Sequence, residues 1–390
     1  MSRALTLSAA AIAVVLSSGA PAAQAPAGRA VEIAAPDGLI LRGTLFSAPA
    51  AGPAVLLLHQ CDNQRHVWDP LGPKLAAAGI TALAIDFRGY GESGGTPHDK
   101  LPNAELGQQM TAVWPGDVDA ALAFLAKQPG VTPDRLGAAG GSCAVNQAVR
   151  LAQRRDTVKA LALLAGPADR DGRLFLQKPG APPVHTSAAA DDEYGDFVQI
   201  MGWLHGVSSR SESRFAQYRD GGHAAVVFKT HPDLADAIAQ WFGAVLKGTP
   251  AALPANIGAP IDRATIDRLQ AIDRPGGAAA AIARLSSGGR TADALNVPEY
   301  LVNLLGYEHI QIKDHATAID ILRLNTLLYP ASANAADSLG DAYLAAGDAA
   351  SALAAARKTL ELLEKDPRVT PQLKTQLRTI AEDKIKRLSK

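Results

Sequence analysis

Leu136-Gly137-Ala138-Ala139-Gly140-Gly141 is a run of small and apolar residues of the buried-strand kind, and it ends at Ser142-Cys143-Ala144. From Cys143 to Gln153 the spacing becomes helical. A serine at such a strand-to-helix junction sits on a sharp, strained turn, so the residues two before and two after it must be small. Gly140 and Ala144 meet that demand. Cys143 is the rival nucleophile, because a thiol is intrinsically stronger. Moving the frame by one residue, however, puts the β-branched Val145 where a small residue is needed, so Ser142 is preferred.

Working outward, the same strand-and-helix alternation continues on both sides. Val31 to Ile33 and Leu39 to Phe46 flank the turn cluster Pro36-Asp37-Gly38, which reads as an opening antiparallel hairpin. Ala54 to His59 and Ile80 to Phe87 are continuous apolar runs, the pattern of strands buried on both faces of a parallel sheet. Helices are expected over about 70–78 and over Asp117 to Lys127. After the junction come strands at Val158 to Ala165, Pro183 to Ala188 and Phe215 to Tyr218. A helix is expected near Phe197 to Trp203, and another from His231-Pro232 to Leu246. The fold class is therefore α/β, a mostly parallel twisted sheet with helices on both faces.

A serine hydroxyl needs a base to take its proton and a carboxylate to orient that base. His223 follows the last strand and precedes the closing helix; His231, directly before Pro232, reads more simply as a helix-start residue. Asp191-Asp192-Glu193 follows the strand Pro183 to Ala188, in the order serine, acid, histidine. Asp192 is chosen, with Asp191 and Glu193 open as alternatives. Backbone N–H donors for an oxyanion are expected at Cys143 and at Cys61, in the loop after the third strand. Two amides aimed at one oxygen bring their Cα atoms within disulfide range, so the only two cysteines either form a bond bracing this hole or remain buried free thiols.

These residues resemble the α/β-hydrolase superfamily, and within it the dienelactone hydrolase-like and acyl-peptidase-like branch. The likeness rests on Leu57-Leu58-His59-Gln60-Cys61, Asp86 to Ser93, Gly140 to Ala144 and Gly222-His223-Ala224, and covers about 30–247. It implies a triad of Ser142, Asp192 and His223, with backbone donors at Cys61 and Cys143. Gln60 departs from the family's usual glycine and Ala144 from its second elbow glycine, and true dienelactone hydrolases carry a cysteine nucleophile. The activity implied is acyl transfer to water from an ester or related bond, with no metal and no cofactor. A serine peptidase on the same fold and a non-catalytic binding scaffold are the competing readings. The stretch 166–182 is short, so an open cleft is expected.

The 390 residues call for two domains. Lys plus Arg equals Asp plus Glu at 38 each, which leaves no net field to attract nucleic acid or an anionic membrane. Residues 1–25 read as a signal peptide: Arg3, an apolar run from Ala4 to Leu16, and Ala23-Gln24-Ala25 as a small-x-small cleavage site. The run falls short of the roughly 20 residues that span a bilayer, so the mature chain is expected without a membrane span, periplasmic or secreted. Residues 248–290 are rich in Ala, Pro and Gly and read as a linker with one helical segment. Beyond it Leu305-Gly306-Tyr307 returns 34 positions later as Leu339-Gly340-Asp341, as do Asp314 at Asp348 and Ala318 at Ala352. That period resembles tetratricopeptide helix pairs over 291–390, implying a module that grips a protein partner; an unrelated helical bundle is the alternative.

Overall fold

Gly38, at φ 84°, takes the left-handed conformation that turns the chain between β1 (Arg29–Ala34) and β2 (Ile40–Phe46). The computed structural model describes residues 28–249, 252–287, 295–367, 369 and 371–389; the expected signal peptide lies outside them. The following elements alternate: β3 (Gly52–Leu58), α1 (Gly72–Ala77), β4 (Thr81–Ile85), α2 (Asn103–Ala112), α3 (Trp114–Ala126) and β5 (Val131–Gly141). Then come α4 (Cys143–Arg154), β6 (Val158–Leu164), α5 (Arg170–Leu176), β7 (Val184–Ala189), α6 (Phe197–Val207), β8 (Arg214–Tyr218) and α7 (Pro232–Lys247).

The eight strands form one sheet in the order β1-β2-β4-β3-β5-β6-β7-β8. β1 and β2 pair antiparallel, β2 pairs antiparallel with β4, and every later pair is parallel. This is the mostly parallel α/β sheet expected from the sequence. Ala54 to Leu58 are wholly inaccessible, as are Ala82 to Ile85. Each leucine so buried contributes about 1.5–3 kcal/mol, which is why these runs carry no polar alternation. Gly137 faces Phe242 of α7, so by strand alternation Ala138 faces the side covered by α3 and α4.

The stretch 248–290 is more structured than its composition suggests. It carries α8 (Arg263–Asp273) and α9 (Gly277–Ser286), and before them Ile257 bridges to Ala216. That bridge covers the open edge of β8, which would otherwise present unpaired backbone groups. Four helices follow as two antiparallel pairs, α10 (Glu299–Gln311) with α11 (His315–Leu328) and α12 (Ala333–Ala345) with α13 (Ala349–Leu363). α14 (Pro371–Leu388) packs on α13. The 34-residue offset has a physical meaning here. Asp314 and Asp348 each cap the following helix through the backbone N–H three residues on, and Ala318 and Ala352 are both fully buried. Leu301, Leu305, Ile321 and Leu324 join the same apolar core as the sheet, so the helical region is fused to it. Among the described residues no helix is long and apolar enough to cross a membrane.

Candidate active site

Ser142 closes β5 and opens α4 at φ 52° and ψ −122°, a positive φ on a residue with a side chain. Such backbone costs about 1–3 kcal/mol and persists where the surroundings dictate it. Its N–H donates to the carbonyl of Leu164 at 2.8 Å. A Cβ on Gly140 would run into the Ala144 carbonyl, and one on Gly166 into the Ser142 carbonyl, so the turn tolerates nothing larger than glycine at either place. Ala165, in the loop packed against it, and Ala224, next to His223, also hold positive φ. The strained non-glycine residues of the sheet region therefore surround one point, the C-terminal edge of the sheet.

Asp192 and His223 meet at that edge, after β7 and β8. His223 Nδ1 lies 2.7 Å from Asp192 Oδ2, and both side chains are buried. The second oxygen of Asp192 accepts from the Tyr194 N–H at 3.0 Å, which fixes the carboxylate plane. Asp191 does something different: its two oxygens accept from the N–H groups of Gly221 and Gly222, at 3.2 and 2.9 Å. Those bonds hold its carboxyl below the usual range and pin the turn that carries His223. Glu193, the third candidate acid, lies 3.9 Å from where a Cβ on Gly222 would stand, while the histidine is taken by Asp192. Tyr194 and Phe197 flank the imidazole at 4.6 and 5.2 Å between ring centroids.

Gln60, which reads in the sequence only as a departure from glycine, is fully buried and spans the site. Its amide donates to the His223 carbonyl at 3.2 Å and accepts from the Ala225 N–H at 3.1 Å. A Cβ on Gly141 would touch both the Ala224 side chain and the Gln60 amide oxygen, so the residue before Ser142 faces the residue after His223. Replacing Gln60 with Leu leaves the buried Ala225 N–H unpaired and leaves the His223 carbonyl with the Val226 N–H alone. We expect a loss of about 1–3 kcal/mol in urea unfolding, with kcat falling as His223 loosens.

Cys61 and Cys143 form a disulfide, with Cα atoms 5.9 Å apart across 82 residues of sequence. It joins the loop after β3 to the first residue of α4, the two places expected to supply oxyanion donors. The loop is further set by Asp86, which takes the Arg65 N–H at 2.7 Å and the Arg65 guanidinium. His59 is buried and its pKa falls to about 4, chiefly through burial. Its Nε2 accepts from the Phe87 N–H at 3.0 Å, so Nδ1 carries the proton toward the Gln60 carbonyl, 2.7 Å away. Reducing the disulfide in the folded protein is expected to lower stability by about 2–4 kcal/mol in urea unfolding with and without reductant.

A cavity of about 700 Å³ opens beside Ser142 and Cys143. Part of its wall comes from outside the stretch 166–182. Only α5 occupies the short stretch 166–182, but Met110 and Thr111 near the end of α2 close one side of the cavity. Leu304, Glu308 and Gln311 of α10 close another. Nothing in the order of residues announces the α10 wall, because it arrives from far downstream of the sheet.

No family model matches the chain. It is 33% identical over 114 residues to a thiohydrolase of Aspergillus aculeatus, an alignment covering 29% of this chain and 33% of that protein. Identity is 33% over 132 residues with an uncharacterized protein of Mycobacterium tuberculosis, covering 33% of this chain and 43% of the other. With a polyketide transferase of Stachybotrys chlorohalonatus it is 26% over 196 residues, covering 46% and 62%. The chain thus spans less than two thirds of the length of each of these relatives. Among solved structures, an esterase of Pyrococcus furiosus aligns at TM-score 0.45 and 17% identity, over 56% of this chain and 93% of the other. The 2,6-dihydroxy-pseudo-oxynicotine hydrolase aligns at TM-score 0.46 and 16% identity, over 61% and 73%.

Proposed function

We propose that this protein is a serine hydrolase that cleaves an ester, thioester or related acyl bond through an acyl-enzyme on Ser142. The observation that carries the reading is the buried Asp192–His223 pair at 2.7 Å, on the same sheet edge as a serine held at positive φ. In this mechanism Ser142 Oγ attacks the carbonyl carbon while His223 takes its proton. His223 then returns the proton to the leaving group, and water releases the acyl group by the same route. Asp192 keeps the Nδ1 proton in place, and the amides of Cys61 and Cys143 receive the oxyanion. The thiohydrolase names among the relatives favour thioesters within this class.

A binding scaffold gives no reason for a buried carboxylate–histidine pair to stand at the same sheet edge as a serine held in strained backbone. We read α10 to α13 as tetratricopeptide-like, supported by the matched caps and buried alanines at the 34-residue offset. The disulfide supports a place in an oxidising compartment, periplasmic or extracellular. The test is labelling of the purified protein with a small alkyl fluorophosphonate, followed by peptide mapping. Modification of Ser142 alone is the expected result. A folded protein that takes no label at Ser142 overturns the reading.

A further inference from the structure

One face of α10 lies along the candidate site. Tyr300, Leu304, Glu308 and Gln311 follow one another at spacings of four, four and three, so they share a side of the helix. At the first of these, a Cβ on Gly195 would come within 3.0 Å of the Tyr300 hydroxyl, beside the loop that carries Asp192 and Tyr194. The other three line the cavity that Ser142 and Cys143 open into. Residues between them look the other way, toward α12: Asn303 donates to Ser338 at 2.8 Å, and Tyr307 to Asp341 at 2.8 Å. α10 thus has one face toward the helical pair behind it and one toward Ser142.

The α10 wall is anchored as well as adjacent. Arg173 of α5, almost fully buried, pairs with Glu308 at 2.7 Å and with Asp273 of α8 at 3.0 Å. His309 bridges Asp273 and Asp314, at 3.0 Å each. These charges tie the position of α10 to the hydrolase region, because a buried ion pair that loses its partner costs several kcal/mol.

The lining of the cavity suits the acyl side of Ser142 rather than the leaving-group side. Among the described residues its lining includes none of the His223 turn and none of the Asp192 loop, while the leaving group must depart beside His223 to receive its proton. From Ser142 the cavity follows α4 past Asn146 to Arg150, about 12 Å by helical rise. Met110 and Leu304 give its walls apolar surface; polar groups come from Gln311 on α10 and from Asn146, Gln147 and Arg150 on α4, of which Asn146 and Arg150 are also bonded to Asp169 and Gln147 to the Met110 carbonyl. Taking Ser142 as the nucleophile, we infer that α10 forms the acyl-binding wall and selects substrates whose acyl group is bulky and carries both apolar and hydrogen-bonding parts.

The experiment compares two esters with the same leaving group, p-nitrophenyl acetate and the p-nitrophenyl ester of N-acetylphenylalanine. Wild type is expected to favour the larger ester in kcat/KM by about 10-fold or more. Leu304→Trp fills the cavity from α10, and Gln311→Trp does so from an exposed position that folding tolerates easily. Each is expected to lower the ratio of the two kcat/KM values about 10-fold, mainly through KM for the larger ester. Fluorophosphonate labelling of the same preparations reports Ser142 independently. Normal labelling with the ratio unmoved in both variants overturns the inference and leaves the serine hydrolase standing. Absent labelling in folded wild type overturns both.

Discussion

Ser142→Ala is expected to lower kcat by about 10⁶-fold on any substrate the protein turns over, with thermal unfolding close to wild type. The substitution removes only the hydroxyl. Alanine inherits the φ of 52° that the elbow imposes, and the N–H bond to Leu164 is made by the backbone. His223, Asp192 and the disulfide keep their partners, because none of those bonds involves the serine side chain. What disappears is the atom proposed to form the acyl-enzyme. The measurement is kcat on a chromogenic ester beside a melting curve of the same sample. A loss under about 10-fold in a folded variant would show that Ser142 is not the nucleophile.

Asp192→Asn should be the next largest loss, about 10⁴-fold in kcat with little change in KM. The asparagine amide is nearly isosteric, so the Tyr194 N–H can still find an oxygen. With that oxygen engaged, the amide nitrogen faces the imidazole, and a nitrogen that donates cannot accept the Nδ1 proton. The imidazole is then left in the wrong tautomer. Asp191→Asn provides the contrast. Asp191 holds the N–H groups of Gly221 and Gly222, so its loss slackens the turn without removing the partner of His223. Its effect on kcat is expected to be far smaller than that of Asp192→Asn. Equal losses in the two variants would mean that the bond at 2.7 Å is not what orients the base.

Much of the sheet was legible because its signals are local. The runs at Ala54 to His59 and Ile80 to Phe87 match strands buried on both faces, and the period change at Ser142 falls where β5 ends and α4 begins. Other elements gave no such signal. α2 has no buried residue, so no apolar stripe marks it, and α5 spans only seven residues. α8 and α9 hide in a stretch whose alanines, prolines and glycines suggest a linker. Composition reports chain stiffness there, while the bridge from Ile257 to Ala216 depends on an edge that only the finished sheet offers.

The amino-acid sequence by itself determined the α/β alternation, the serine at the strand-to-helix junction and the chain order of Ser142, the acidic run and His223, because each is read from residues close together in the chain or from their order. It narrowed the acid to Asp191, Asp192 or Glu193 and left the two cysteines either joined or free. Only the tertiary structure shows that Asp192 is the carboxylate that meets His223 and that the cysteines are joined, since a bond of 2.7 Å or a Cα separation of 5.9 Å is a fact about segments distant in the chain. The same holds for Gln60, whose two hydrogen bonds reach residues 163 and 165 positions away, and for α10 at the cavity. Periodicity is set by what a residue does to its own turn of backbone; a site is set by which turns the packed core brings together.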